Sequence, residues 1–143
     1  MKTEEKVFVD ASLIVYLNIP LSKEDSEIID SFYHKLLGKR LYTDILALDE
    51  ALYVSKKKYR VPYEVTVELI ERVLLPYVEI LTLGSAEYSL AIKHIEKYGL
   101  KPSDAIHLAT LDLNGIHIIA TEDADFDKTH VERLWPNIKR TEP

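Results

Sequence analysis

The chain has 143 residues, 47% of them hydrophobic and 29% charged, which is the length and balance of a single globular domain (1–143) able to bury a core unaided. It has no cysteine, which excludes disulfides, thiol nucleophiles and Cys-ligated zinc or iron–sulfur sites, and no apolar run approaches the roughly 18 residues of a membrane span. The net charge of −6 argues against a protein that coats nucleic acid by charge alone, but it is compatible with clustered acids that a bound cation partly cancels.

The first residues, Met1 to Lys6, are polar and lack the apolar centre of a signal peptide, so a cytoplasmic location is expected. Val7-Phe8-Val9 is a short unbroken apolar run, the signature of a strand covered on both faces, and Asp10 closes it. Residues 11–18 read as a short helix ended by Pro20. Ser22 is an N-cap for a helix from about 23 to 37, stopped by Gly38. Residues 40–43 read as a second strand and 44–60 as a helix. Pro62 starts another helix reaching about Leu75. Residues 78–83 read as a third strand. A helix then runs from Ser85 to Gly99, and a further one opens at Pro102-Ser103 and ends at Asn114-Gly115. Residues 116–120 make a fourth strand, an acidic turn follows, and a weak last strand lies near 131–134. Strands separated by helices predict a mostly parallel sheet of four or five strands, with sites outside the strands' carboxyl ends.

That rule singles out Asp10 and the segment after Ala120. Ser12 can face the same crevice as Asp10, although an Asp before a helix also serves as a plain cap. Glu50 lies in mid-helix with Leu46, Ala47, Tyr53 and Val54 three and four residues away. A carboxylate on such a face needs a cation or an ion pair. Asp49 has similar neighbours, and periodicity does not choose between the two. Asp104 falls in the first turn of its helix, where the helix dipole alone would favour it. His107, one turn on, reads as a packing or hydrogen-bonding histidine. The turn Thr121-Glu122-Asp123-Ala124-Asp125-Phe126-Asp127 holds four acids in six residues, with Phe126 as an apolar anchor.

In order, these are a strand-end Asp, a mid-helix Glu, a helix-start Asp and an acidic turn after the last core strand. The stretches Val7-Phe8-Val9-Asp10-Ala11-Ser12, Leu48-Asp49-Glu50-Ala51-Leu52-Tyr53, Tyr98 to Ala109 and Ile119 to Phe126 resemble the PIN-domain ribonucleases, in particular the toxin-like branch called VapC. The resemblance spans nearly the whole chain and implies a three-layer α/β/α sandwich. It implies that Asp10, Glu50, Asp104 and Asp123 are the acidic quartet that holds metal and carries catalysis, with Ser12, Thr121 and Asp125 in support. It also selects Glu50 over Asp49. The extra acids Asp49 and Glu122 depart from the family's usual pattern and bear on metal stoichiometry or substrate preference. Convergent carboxylates repel one another, so raised pKa values or a bound cation are expected, and oxygen-only ligands suit Mg²⁺ or Mn²⁺. The implied activity is hydrolysis of RNA by a metal-activated water, leaving a 5′-phosphate and a 3′-hydroxyl.

Lys56, Lys57, Lys58 and Arg60 form a basic helix end that could contact phosphates, or that simply complements the helix C-terminus. Residues 61–77 carry two apolar stripes, Val67-Ile70-Leu74 and Val65-Leu69-Val73, where one suffices for packing on a sheet. A homodimer through this region is therefore expected. The resemblance adds an antitoxin protein that blocks the acidic pocket. Among competing readings, a haloacid-dehalogenase-type phosphatase would want an Asp at the place of Ser12. A housekeeping RNA-processing nuclease and a non-catalytic module of the same fold remain as alternatives.

Overall fold

In the computed structural model, which describes residues 5–138, the apolar run at the N-terminus is the central strand of a five-stranded sheet. The strands are β1 (Lys6–Val9), β2 (Arg40–Asp44), β3 (Val78–Leu81), β4 (Ile118–Ala120) and β5 (Glu132–Leu134), in the spatial order β3-β2-β1-β4-β5. Every pairing is parallel. Val7 stands opposite Leu41 on one side and Ile118 on the other.

The period-two alternation of a strand sends successive side chains to opposite faces. Val7 and Val9 enter one core together with α1 (Ala11–Asn18), α2 (Lys23–Leu36), α3 (Ile45–Tyr59) and α4 (Tyr63–Leu69) with the turn that continues it. Phe8 enters the other core with α5 (Ser85–Tyr98) and α6 (Pro102–Leu113). Helices thus cover both faces, giving the three-layer α/β/α sandwich. All three of Val7, Phe8 and Val9 are fully buried, as their unbroken apolar pattern requires.

The helix boundaries follow local chemistry. The Ser22 hydroxyl accepts the Asp25 N–H at 3.1 Å and starts α2. Gly99 ends α5 in the left-handed region at φ 66°, where a Cβ is unfavourable. Pro102 opens α6, its missing N–H costing nothing there.

Several boundaries differ from the sequence reading. Asp44 ends β2 and caps α3 through its side chain instead of opening the helix. Strand β3 stops at Leu81, and β4 begins at Ile118 and not at Ile116. The single helix expected from Pro62 to Leu75 is α4 followed by a π-helical turn, Ile70–Leu74, in which Leu75 N–H donates to Ile70 O at 2.9 Å. The wider turn breaks the 3.6-residue register. One expected stripe is split: Ile70 and Leu74 are buried, whereas Val67 stays 44% exposed. The Tyr33 hydroxyl donates to Val73 O at 2.7 Å and satisfies one carbonyl of this turn.

No helix among the described residues is long and apolar enough to cross a membrane.

Candidate functional site

The strand order reverses direction between β1 and β4, and a crevice outside the carboxyl ends is expected at such a point. A cavity of about 490 Å³ lies there. Its wall includes Asp10 and Ser12 after β1, Glu50 on α3, Asp104 in the first turn of α6, and Thr121 and Asp123 after β4. Four separate chain segments thus deliver the four acids singled out from the sequence to one cavity. Asp49 and Glu50 are both exposed, but only Glu50 is part of that wall, so on α3 it is Glu50 that faces the cavity. The rotation of α3 is set by Ala47, Leu48, Ala51 and Ser55, which are buried against the rest of the fold.

Asp10 is 5% exposed and fully engaged. Its Oδ1 accepts the Ala11 N–H at 2.8 Å, and its Oδ2 accepts the Thr121 hydroxyl at 2.8 Å. It is therefore a cap and a cavity acid at once. The Thr121 oxygen in turn accepts the Asp123 N–H at 3.1 Å and lies 3.4 Å from Ser12 Oγ. Ser12 Oγ accepts the Glu122 N–H at 3.0 Å. Ser12 and Thr121 thus join the ends of β1 and β4 and set the start of the acidic turn. A turn of 3₁₀ helix, Ala124–Lys128, continues it, with Phe126 fully buried in the core beneath. Asp123 Oδ1 accepts the Asp125 N–H at 2.9 Å.

The electrostatics are those of crowded like charges. Burial, a hydrogen bond to Asp123, and the charges of Asp10 and Asp123 push the Asp104 carboxyl up to about 7, with His107 opposing. Burial and the charges of Asp10 and Asp123 also raise Glu50, against His107 and Lys101. Asp104 Oδ2 is buried and has no hydrogen-bond partner. One carboxylate oxygen from each of Asp104, Asp123 and Asp125 lies within 4.8 Å of the others. A buried carboxylate with one orphaned oxygen, close to two further carboxylates, is a donor set that fits a hard cation such as Mg²⁺ or Mn²⁺.

Beneath these acids sits a charge that the sequence reading did not assign. His107 is 2% exposed, its Nδ1 2.7 Å from Asp44 Oδ2 and its Nε2 3.5 Å from Asp10 Oδ1. Burial disfavours the imidazolium. The hydrogen bond to Asp44 and the charges of Asp10, Asp44 and Asp104 outweigh it and raise the pKa to about 9. The reading of His107 as a hydrogen-bonding residue agrees with this geometry. Asp44, 63 residues away in sequence, carried no signal that could have paired it with His107. Tyr16 was also missed: its hydroxyl donates to Glu122 Oε1 at 2.6 Å in the same wall. So was Lys101, another residue of the wall, and only its position before Asp104 could have suggested it.

Comparison with known proteins places this geometry among relatives. The family model described as PIN domain matches residues 7–132. VapC20 of Mycobacterium tuberculosis, a toxin that cleaves the sarcin-ricin loop, is similar in structure, with a TM-score of 0.68 and 17% identity over 85% of this chain and 92% of that one. VapBC2 from Rickettsia felis, solved bound to a promoter DNA fragment, gives a TM-score of 0.67 at 14% identity, covering 92% of this chain and 99% of the other. PAE2754 from Pyrobaculum aerophilum gives 0.64 at 18% identity, covering 90% and 89%. A comparison with curated proteins finds no match.

Proposed function

The chain belongs to the PIN domain family, and from that premise we propose that it is a metal-dependent endoribonuclease, the toxin of a toxin–antitoxin pair. What supports this reading most is the convergence of Asp10, Glu50, Asp104 and Asp123 on one cavity, with a buried Asp104 oxygen that has no partner in the protein. These four acids would hold Mg²⁺ or Mn²⁺, and Asp125 stands close enough to Asp104 and Asp123 to join them. Such ions, when bound, supply an activated water as nucleophile and stabilise the leaving oxygen. The protein's own part is to hold the carboxylates still. Thr121 fixes Asp10, Ser12 ties down the acidic turn, and His107 places a positive charge next to Asp10. Attack by water leaves a 5′-phosphate and a 3′-hydroxyl without use of the ribose 2′-hydroxyl. The solved VapBC complexes support an antitoxin as partner, and its place would be over the acidic cavity.

The test is cleavage of single-stranded or looped RNA with Mg²⁺ or Mn²⁺, assayed between pH 5.5 and 8.5. Cations bind the ionised form of Asp104, whose pKa is about 7. At limiting metal the rate therefore climbs with pH, by up to about tenfold per unit below 7, and levels off above it. EDTA abolishes it. Cleavage that survives EDTA, or products ending in a 2′,3′-cyclic phosphate, would refute the reading.

The same proposal includes a homodimer. Tyr63, Val65, Val67, Val73 and Tyr77 are each between 37% and 50% exposed along α4, the π turn and the residues just after it, a contiguous sequence region with more apolar surface than packing on its own sheet consumes. Light scattering at micromolar concentration is expected to give twice 16.5 kDa, and Val65→Glu to halve it. A monomer mass for the parent protein rules the dimer out.

A further inference from the structure

Two lysines stand in the wall of the acidic cavity. On α3, Glu50, Val54 and Lys58 follow one another at four-residue intervals and all line it. One helical face thus leads from the acids to a cation over about 12 Å. Lys101 reaches the wall from a different element, as the residue that precedes α6. Helix chemistry explains the first of these and not the second. Lys58 lies in the last turn of α3, where the helix dipole favours a cation. Lys101 is the N-cap of α6, makes no side-chain cap bond, and meets the positive end of the dipole. An anionic chain that must pass between Asp10, Glu50, Asp104 and Asp123 accounts for both, because cations at the edge of an acidic cleft offset its repulsion of a phosphate backbone.

We propose that Lys58 and Lys101 are positioning residues that grip the RNA backbone at two points flanking the phosphate to be cut. This rests on the ribonuclease reading. The Lys58 ammonium lies 5.4 Å from the centre of the Tyr59 ring, and Tyr59 also lines the cavity. Lys56 and Lys57 sit over Tyr63 and Tyr53 and are not part of the cavity wall. Of the basic helix end, only Lys58 is on the track.

The experiment measures binding of a fluorescent single-stranded oligoribonucleotide by anisotropy across a salt series, in an Asp10→Asn background that blocks cleavage. Each of Lys58→Ala and Lys101→Ala should lower affinity severalfold and reduce the slope of log K against log salt by about 0.7. Lys56→Ala should leave the slope unchanged, and Lys→Arg at either site should restore it. In the cleaving protein the same alanine variants should raise KM with kcat nearly constant. Both lysines are exposed, so folding is not at stake. Slopes equal to the parent for Lys58→Ala and Lys101→Ala, an equal loss for Lys56→Ala, or no RNA binding by the parent would each overturn the proposal. Lysine-dependent binding without any cleavage by the native chain would overturn the nuclease reading and leave the RNA track standing. Cleavage indifferent to both lysines would do the reverse.

Discussion

Asp10→Asn should lower the proposed metal-dependent RNA cleavage by on the order of 10³-fold and leave the protein folded. The substitution separates charge from structure because the hydrogen bonds of Asp10 tolerate an amide. Its Oδ1 accepts the Ala11 N–H at 2.8 Å, a bond that an amide oxygen reproduces. Its Oδ2 accepts the Thr121 hydroxyl, and a hydroxyl can rotate and accept from an amide N–H instead. The cap of α1 and the tie between β1 and β4 both survive. The negative charge is lost, and with it one oxygen's capacity to hold a divalent cation. Activity should be measured with saturating Mg²⁺ or Mn²⁺, beside far-UV circular dichroism and a thermal melt. A melt within a few degrees of the parent, together with a rate above a tenth of it, would remove Asp10 from the machinery.

The second large effect is on stability. Asp44→Ala should cost about 3–5 kcal/mol, which for a chain of this size lowers Tm by on the order of 10 °C. Asp44 is fully buried. One of its oxygens accepts the Ala47 N–H at 3.0 Å and the other faces His107 Nδ1 at 2.7 Å. Its removal uncaps α3 and strands a buried imidazolium. The pH dependence identifies the cause. The folded-state pKa of His107 is raised from 6.5 to about 9, so the native state holds a proton that the unfolded chain releases. The stabilisation is complete below 6.5, falls as pH rises and is lost above about 9, a change of about 3 kcal/mol. Asp104 adds a fall of its own, because an acid raised from 3.8 to about 7 also favours the native state when protonated, but that contribution ends near pH 7. In EDTA the range from pH 7 to 9 therefore reports His107. The parent should lose stability across it, and Asp44→Asn, which keeps the cap oxygen but leaves His107 only the charges of Asp10 and Asp104, should be clearly shallower. Equal falling slopes for the two proteins would mean that Asp44 does not hold the proton on His107, and level profiles for both that His107 is neutral in the native state.

Much of this protein can be read along the chain. The apolar run Val7–Val9, the Ser22 cap, Pro102 at the start of a helix and the stops at Gly99 and Gly115 are local signals, decided by side-chain volume, φ preference and capping within a few residues. Period-two and 3.6-residue patterns likewise report which face is buried, so the alternation of elements and the parallel sheet follow from the sequence. The order of the four acids is visible for the same reason, since each marks an element's end or interrupts an apolar face.

Other features needed the folded chain. Periodicity alone does not choose between Glu50 and Asp49; the resemblance selects Glu50, and the packing of Ala47, Ala51 and Ser55 sets the rotation of α3 that brings it to the cavity. The π turn at Ile70–Leu74 breaks a periodicity that the sequence continues without interruption. Contacts between distant residues carry no local trace at all. Thr121 reaches Asp10 across 111 positions, and His107 reaches Asp44 across 63. His94 and His130, which have no ligand-like spacing, meet on the two oxygens of Asp112, each at 2.7 Å. Sequence pattern encodes which side of an element is buried. Which buried polar group finds which partner is decided only when the two faces of the sheet are packed, because an unpaired charge there costs several kcal/mol and each must take the partner that the fold brings within reach.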